Sequence, residues 1–306
     1  MESPGIACPL APIALFTYKR PWHTRRTVES LQKNGLAKGS ELYVFCDGPK
    51  SSDEQENIHA VRQYVRAIEG FGKVSIIHRD RNLGLAKSII SGVTEIVGLH
   101  GRIIVMEDDL VCSPNFLEYM NRALRVYENR NDVFSITGYN FLRNMPRGYR
   151  EKVFLSHRPS SWGWGTWADR WRKADWEVTD FDTFIMNDEE QARFNRGGDD
   201  LTRMLVKQMS GEIDSWGIRW CYTHFRHDAY CLVPVSSKIA NIGFDHTGTH
   251  CTATGKYAVP LDDCTTVTET PDDITINDDV VRAVAYFHRD TFMQRLKDRI
   301  AQCLQR

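Results

Sequence analysis

Several functional classes are excluded by what the sequence lacks. It has no run of about twenty apolar residues, the length a membrane-spanning helix needs. The opening segment, MESPGIACPLAPIALF, lacks the basic region and long apolar stretch of a signal peptide. The expectation is a soluble, cytoplasmic protein. Charge of one sign is also missing: 39 basic and 40 acidic residues leave a formal net charge of -1, which gives no overall pull toward nucleic acid or acidic lipid. No CxxC pair occurs among the eight cysteines, so a structural zinc site is not expected and buried free thiols are, with a disulfide among the later cysteines as an alternative. No GxxxxGK[ST] loop is present, which argues against that class of nucleotide hydrolase or kinase. Repeats, low-complexity tracts and linkers are absent as well. The 306 residues therefore read as one domain over 1–277 followed by a C-terminal helix over 278–306.

What is present is a regular alternation of apolar runs and helical patterns. PIALFTY (12–18), ELYVFCD (41–47), KVSIIHR (73–79) and RIIVM (102–106) predict strands. Between them lie helical stretches from Pro21 to Gln32, across Ile58, Val61, Val65 and Ile68, and over 85–97. Such alternation implies right-handed crossovers and an α/β, Rossmann-like, mostly parallel sheet covered on both faces. Ligands bind such sheets at the carboxyl ends of the strands. Those ends are polar here: Thr17 to Arg20, Asp47-Gly48, His78 to Asn82 with Arg81, and Glu107-Asp108-Asp109. Ser113 and Pro114 then suggest an N-cap and first turn for a helix reaching about Asn129.

Three consecutive carboxylates at a strand tip repel one another unless donors or a cation compensate. Hard oxygen ligands together with a diphosphate suit Mn²⁺ or Mg²⁺. The plain alternative is a solvated acidic turn complementing the next helix dipole.

VMEDDLVCSPNFLEYM resembles the EDD variant of the DxD motif in glycosyltransferases of the A fold, of the N-acetylglucosaminyltransferase I type and related bacterial family 2-like sugar transferases. FTYKRP, YVFCDGP, SSWGWGTWADRW, IDSWGIRW and NIGFDHTGTH are similar to blocks of the same families, in the same order, over most of residues 12–251. The resemblance implies a nucleotide-sugar half at about 12–130 and an acceptor-side half at 131–277. It implies metal dependence, a nucleotide-diphosphate sugar donor with UDP favoured, inversion, and a glycan or lipid-linked acceptor. By the same resemblance Asp109 ligates the metal, while Asp108 and Glu107 face the ribose and donor sugar. Asp47 bonds the base, and Arg20 and Arg81 lie near base or phosphate.

The second half carries the acceptor-side candidates. Trp162 and Trp164 flank Gly163, and indole faces stack on sugar rings where glycine allows close approach; Trp167 and Trp171, at helical spacing, read as core. Displacement of a nucleoside diphosphate by a hydroxyl needs a carboxylate to take its proton. Asp214, set among apolar and aromatic residues in EIDSWGIRW, is the favoured base. It matches the family's SWD-like block only in a displaced register, and Asp175, Asp180 and Asp182 are rivals. His250, ahead of His246, is the imidazole that completes the shell of a Mn²⁺ held by Asp109.

The tail combines an apolar stripe with Arg289, Arg295, Lys297, Arg299 and Arg306. It reads as a helix packed on the domain or in a dimer, with peripheral membrane contact as the alternative. A sugar nucleotidyltransferase expects a GxGxR loop after the first strand, which FTYKRPWHT does not contain. A sugar-binding module without catalysis leaves the acidic triplet unexplained.

Overall fold

A computed structural model describes residues 9–245, 255–266 and 268–289. In chain order its first half contains β1 (Ile13–Thr17), α1 (Pro21–Gln32), β2 (Glu41–Cys46), α2 (Gln55–Arg66), β3 (Lys73–His78), α3 (Leu85–His100) and β4 (Arg102–Glu107). There follow β5 (Leu110–Cys112), α4 (Phe116–Val126), β6 (Val133–Thr137), β7 (Val153–Ser156), β8 (Trp164–Trp167) and α5 (Ala168–Trp171). The remainder comprises α6 (Phe181–Ile185), α7 (Asp188–Phe194), α8 (Leu201–Met209), α9 (Trp216–Arg226), β9 (Tyr230–Pro234), β10 (Ile239–Asn241) and α10 (Asp278–Phe287).

Among the described residues, eight strands form one sheet in the order β3-β2-β1-β4-β8-β6-β9-β7. The first four run parallel; β8 and β7 run against the others. Because β1 is followed by β2 on one side and flanked by β4 on the other, the chain reverses direction across the sheet between β1 and β4. Loops leaving two such strands diverge and open a crevice at their carboxyl ends. Both faces of the sheet are covered, which is why β1 is buried at all five positions. Ile13 and Leu15 pack with Val28 and Leu31 of α1, Val61 and Val65 of α2, and Phe116 and Met120 of α4. Ala14 and Phe16, pointing the other way, pack with Ile89, Val93 and Val97 of α3 and with Trp216 and Trp220 of α9.

The helix expected to start at Ser113 and Pro114 starts at Phe116. The reason is a short second sheet that the sequence pattern did not reveal: β5 pairs antiparallel with β10. The Ser113 amide continues that pairing by donating to the Lys238 carbonyl (2.9 Å), and the Ser113 hydroxyl bonds Asn115 Oδ1 (2.8 Å) instead of capping a helix. The described part of the C-terminal segment packs on the domain through Val280 and Val284, both buried; the basic residues from Arg295 onward lie outside the described residues. Cys46, Cys112, Cys221, Cys231 and Cys264 are free thiols, the first four buried. No helix among the described residues is long and apolar enough to cross a membrane.

Candidate donor and metal site

The crevice between β1 and β4 is where the acidic triplet meets its countercharge. Arg20 ends the loop after β1 and is held by its own carbonyl, which accepts from the amide (3.0 Å) and the hydroxyl (2.9 Å) of Thr24 in α1. Its Nη2 pairs with Asp108 Oδ1 and lies 3.0 Å from Asp109 Oδ2. Burial works against the Arg20 charge, but Asp108 and Asp109 outweigh it and hold its pKa above the ordinary value. Asp108 is buried and also accepts from the Tyr18 amide (3.3 Å). Burial raises its pKa despite Arg20. Burial, then the charges of Asp109 and Asp108, push Glu107 up to about 8.

The late segment comes to the same place through the second sheet. The Ile242 amide donates to the Asp109 carbonyl (2.9 Å), which lays Gly243 against the Asp109 side chain. A Cβ at Gly243 would stand 2.2 Å from Asp109 Oδ2 and 3.0 Å from Arg20 Nη1. Among the described residues, the triplet does not close into a three-ligand cage; Asp262, Asp263 and Cys264 do converge, but Asp262 is already paired with buried Lys238. A single hard carboxylate in a glycine-lined cradle fits a divalent cation whose remaining ligands are diphosphate oxygens and water.

Asp47 also lies at this edge. Its carboxylate is buried and accepts from the Leu83 amide (3.1 Å to each oxygen) and the Gly48 amide (3.1 Å), so it ties the loop after β2 to the start of α3. Burial raises its pKa against the pull of these donors. Gly48 allows this closeness, since a Cβ there would meet the Arg81 backbone at 2.6 Å. Arg81 itself is exposed and lines a cavity of about 450 Å³ with His78, Arg79 and Leu83. The Thr17 side chain is buried and donates to the Phe45 carbonyl (3.2 Å), which leaves it a strand-pairing role rather than a surface aimed at a donor.

On the acceptor side the paired tryptophans separate. Trp162 is partly exposed and meets Tyr139, Phe244 and Tyr257 edge to face. Trp164 corrects the expectation of a sugar wall. It is 1% exposed and stacks on Trp216, because strand alternation turns it onto the α3 and α9 face. Gly163 is buried too, at a φ of 57°, and the close neighbour it admits is the Ile239 side chain, 2.5 Å from a would-be Cβ. Trp167 and Trp171 are core, as expected.

Asp214 is exposed, precedes the α9 N-cap Ser215, and brings its Oδ2 within 3.4 Å of a Cβ built on Gly84 at the start of α3. It therefore faces the loop that Asp47 fixes. Its cationic neighbour, Arg219, is 3.7 Å away. Two rivals are committed to structure: Asp175 accepts from the Glu177 and Thr179 amides, and Asp180 holds Tyr222 and Arg226. Asp182 lies in the first turn of α6. His246 and His250 lie outside the described residues.

With this geometry in view, the match to known families is decisive. The model of "Glycosyl transferase family 2" matches residues 13–185, more than half of the chain. The chain belongs to glycosyl transferase family 2. No curated protein matches it in sequence. Among solved structures, S. aureus TarS aligns at 10% identity and TM-score 0.41 over 76% of this chain and 37% of TarS, so the chain spans just over a third of that protein. The galactosyltransferase LgtC with donor and acceptor sugar analogues aligns at 9% identity and TM-score 0.41, covering 80% of this chain and 92% of that one. A mannosyltransferase from Pyrobaculum calidifontis, in complex with GDP-Man and Mn²⁺, aligns at 8% identity and TM-score 0.40, covering 71% and 70%.

Sequence reasoning missed several groups at this site of the family 2 chain. Glu54 accepts from the Tyr18 hydroxyl, the Lys19 ammonium (2.8 Å) and the Lys50 amide (2.8 Å), clasping the loop after β1 to the loop after β2. Lys19, then Tyr18, hold its pKa well below the usual carboxylate range. His23, in α1, lies 3.0 Å from Asp245. Gly243, within NIGFDHTGTH, carries no local signal of its own. Its placement depends on the pairing of β5 with β10, and two three-residue strands give too short a pattern to read.

Proposed function

We propose that the protein transfers a sugar from a nucleotide-diphosphate donor, UDP-linked by preference, to a hydroxyl of a glycan or lipid-linked acceptor with inversion at the anomeric carbon. The observation that carries this reading is the convergence of Asp109, Arg20 and Gly243 at the β1/β4 crevice. Asp47 and the loop it holds receive the base, with Arg81 beside the phosphates. Glu107 and Asp108 border the ribose and donor sugar. A divalent cation on Asp109, Mn²⁺ or Mg²⁺, would offset the charge gathering on the departing diphosphate.

Asp214 takes the proton from the acceptor hydroxyl as its oxygen bonds to the anomeric carbon. The bond from that carbon to the diphosphate oxygen breaks on the opposite face, and the nucleoside diphosphate leaves with the bonding pair. Trp162 borders the acceptor ring. His250 is the further ligand proposed for the cation, which favours Mn²⁺ over Mg²⁺.

Thermal-shift measurements with UDP, GDP and their sugars, with and without Mn²⁺, test the reading. Stabilisation by a nucleotide that requires Mn²⁺ and is lost in Asp109→Ala is the expected result. No response of the wild-type protein to any nucleotide overturns it.

A further inference from the structure

The three carboxylates and Arg20 form a charge arrangement that the proposed reaction does not by itself explain. Arg20 does not stand beside an open acidic site; it fills the space between two of its members. One guanidinium nitrogen, Nη2, reaches Asp108 and Asp109 together. The other, Nη1, is shielded from solvent and has no hydrogen-bond partner among the described residues, although each of its N–H groups costs free energy when left unmet. Its surroundings are narrow, since a Cβ on Gly243 would stand 3.0 Å from Nη1. The backbone at Arg20 is held by the two Thr24 donors to its carbonyl. A change of partner is therefore a rotation of the side chain alone.

Resting on the glycosyltransferase reading above, we propose that Arg20 is the internal counter-ion of this site. It holds the carboxylates while no donor is bound and passes to the diphosphate when cation and nucleotide arrive together. The charges favour this exchange. A divalent cation arriving alone must displace or sit beside a guanidinium already paired with Asp109, so like-charge repulsion holds its affinity down. A diphosphate brings phosphate oxygens that match the guanidinium fork in two places, including the unmet Nη1. Cation and nucleotide then promote each other's binding. Linkage requires that promotion to be reciprocal.

The test is titration of the full, metal-free chain with Mn²⁺ alone and with Mn²⁺ at saturating UDP, or GDP if the thermal screen selects it. Binding is read by calorimetry and by the electron paramagnetic resonance signal of free Mn²⁺, so activity is not needed. Arg20→Gln is expected to bind Mn²⁺ alone about tenfold more tightly than wild type and to show a smaller gain from nucleotide. Arg20→Lys, whose ammonium pairs with one carboxylate at a time, falls between them and serves if the glutamine variant does not fold. Mn²⁺ affinity that is unchanged or weaker in the folded variants overturns the proposal. If no nucleotide improves Mn²⁺ binding to wild type, the donor reading fails instead, and the comparison with Mn²⁺ alone still decides the role of Arg20.

Discussion

Replacing Gly243 with alanine adds one methyl group at the tightest point of the site. Its carbon would sit 2.2 Å from Asp109 Oδ2, 2.9 Å from Asp109 Cγ and 3.0 Å from Arg20 Nη1, whereas ordinary contact begins at 3.4 Å. Something must move by about 1.2 Å, the difference between 3.4 and 2.2 Å. Gly243 lies outside the left-handed region, so the perturbation is volume rather than backbone strain. Loop retreat is opposed by the Gly243 amide, which donates to Asn241 Oδ1 (2.7 Å), and by the Ile242 amide on the Asp109 carbonyl. The Asp109 carboxylate is therefore the group that yields. Overpacking of this size costs about 1–3 kcal/mol of stability. Misplacing a ligand-binding carboxylate by about 1 Å costs about 100-fold in kcat/KM. The assay is release of nucleoside diphosphate from the nucleotide sugar selected by thermal shift, in Mn²⁺, with the melting temperature recorded alongside. Gly98→Ala is the control, because a Cβ there meets nothing within 4 Å. A folded Gly243→Ala enzyme with kcat/KM within about threefold of wild type would refute the placement of Asp109 at the reacting centre.

Further outcomes separate the remaining roles. Asp214→Asn should lower transfer by at least about 100-fold while the Mn²⁺-dependent nucleotide shift stays unchanged, and retained turnover would remove it as the base. Trp164→Ala should cost about 3–5 kcal/mol in denaturant unfolding, since it empties a site stacked on Trp216. Trp162→Ala should cost less stability and raise KM for the acceptor instead; equal effects from the two variants would contradict the assignment. A pH series tests His224, whose Nδ1 lies 2.9 Å from the Trp220 carbonyl and so carries the proton, leaving Nε2 to accept from Ser135 (2.8 Å). Burial pushes its pKa down from 6.5 to about 3. The unfolded chain takes up this proton first, so the stability contribution is complete above 6.5 and is lost as pH falls toward 3. Each such group adds a slope of up to about 1.4 kcal/mol per pH unit. His224→Gln should therefore flatten the fall in melting temperature between pH 6.5 and 4.5, and an unaltered slope would rule the residue out.

The strands and helices of the first half were legible because each is long enough to show its period and is bounded by clear signals. Pro21 opens α1, and Gly101 closes α3 in the left-handed conformation. The acidic triplet was legible for a related reason, since charge at the tip of a buried run requires compensation and its position in the βαβ order gives the edge. The fate of single side chains was not legible. Trp162 and Trp164 have the same local sequence signature, yet Gly163 between them turns in the left-handed conformation, so that Trp164 enters β8 and is buried against Trp216 of α9 while Trp162 stays ahead of the strand and partly open. By itself the sequence determined the fold class and the edge where chemistry gathers, because these depend on periodicity and on order along the chain, and the resemblance of its motif blocks carried the glycosyltransferase likeness. Only the tertiary structure decided that Arg20 pairs with both Asp108 and Asp109, that Gly243 packs against Asp109, and that Glu54 binds two loops together. Those are contacts between segments far apart in sequence, and packing alone brings them within reach.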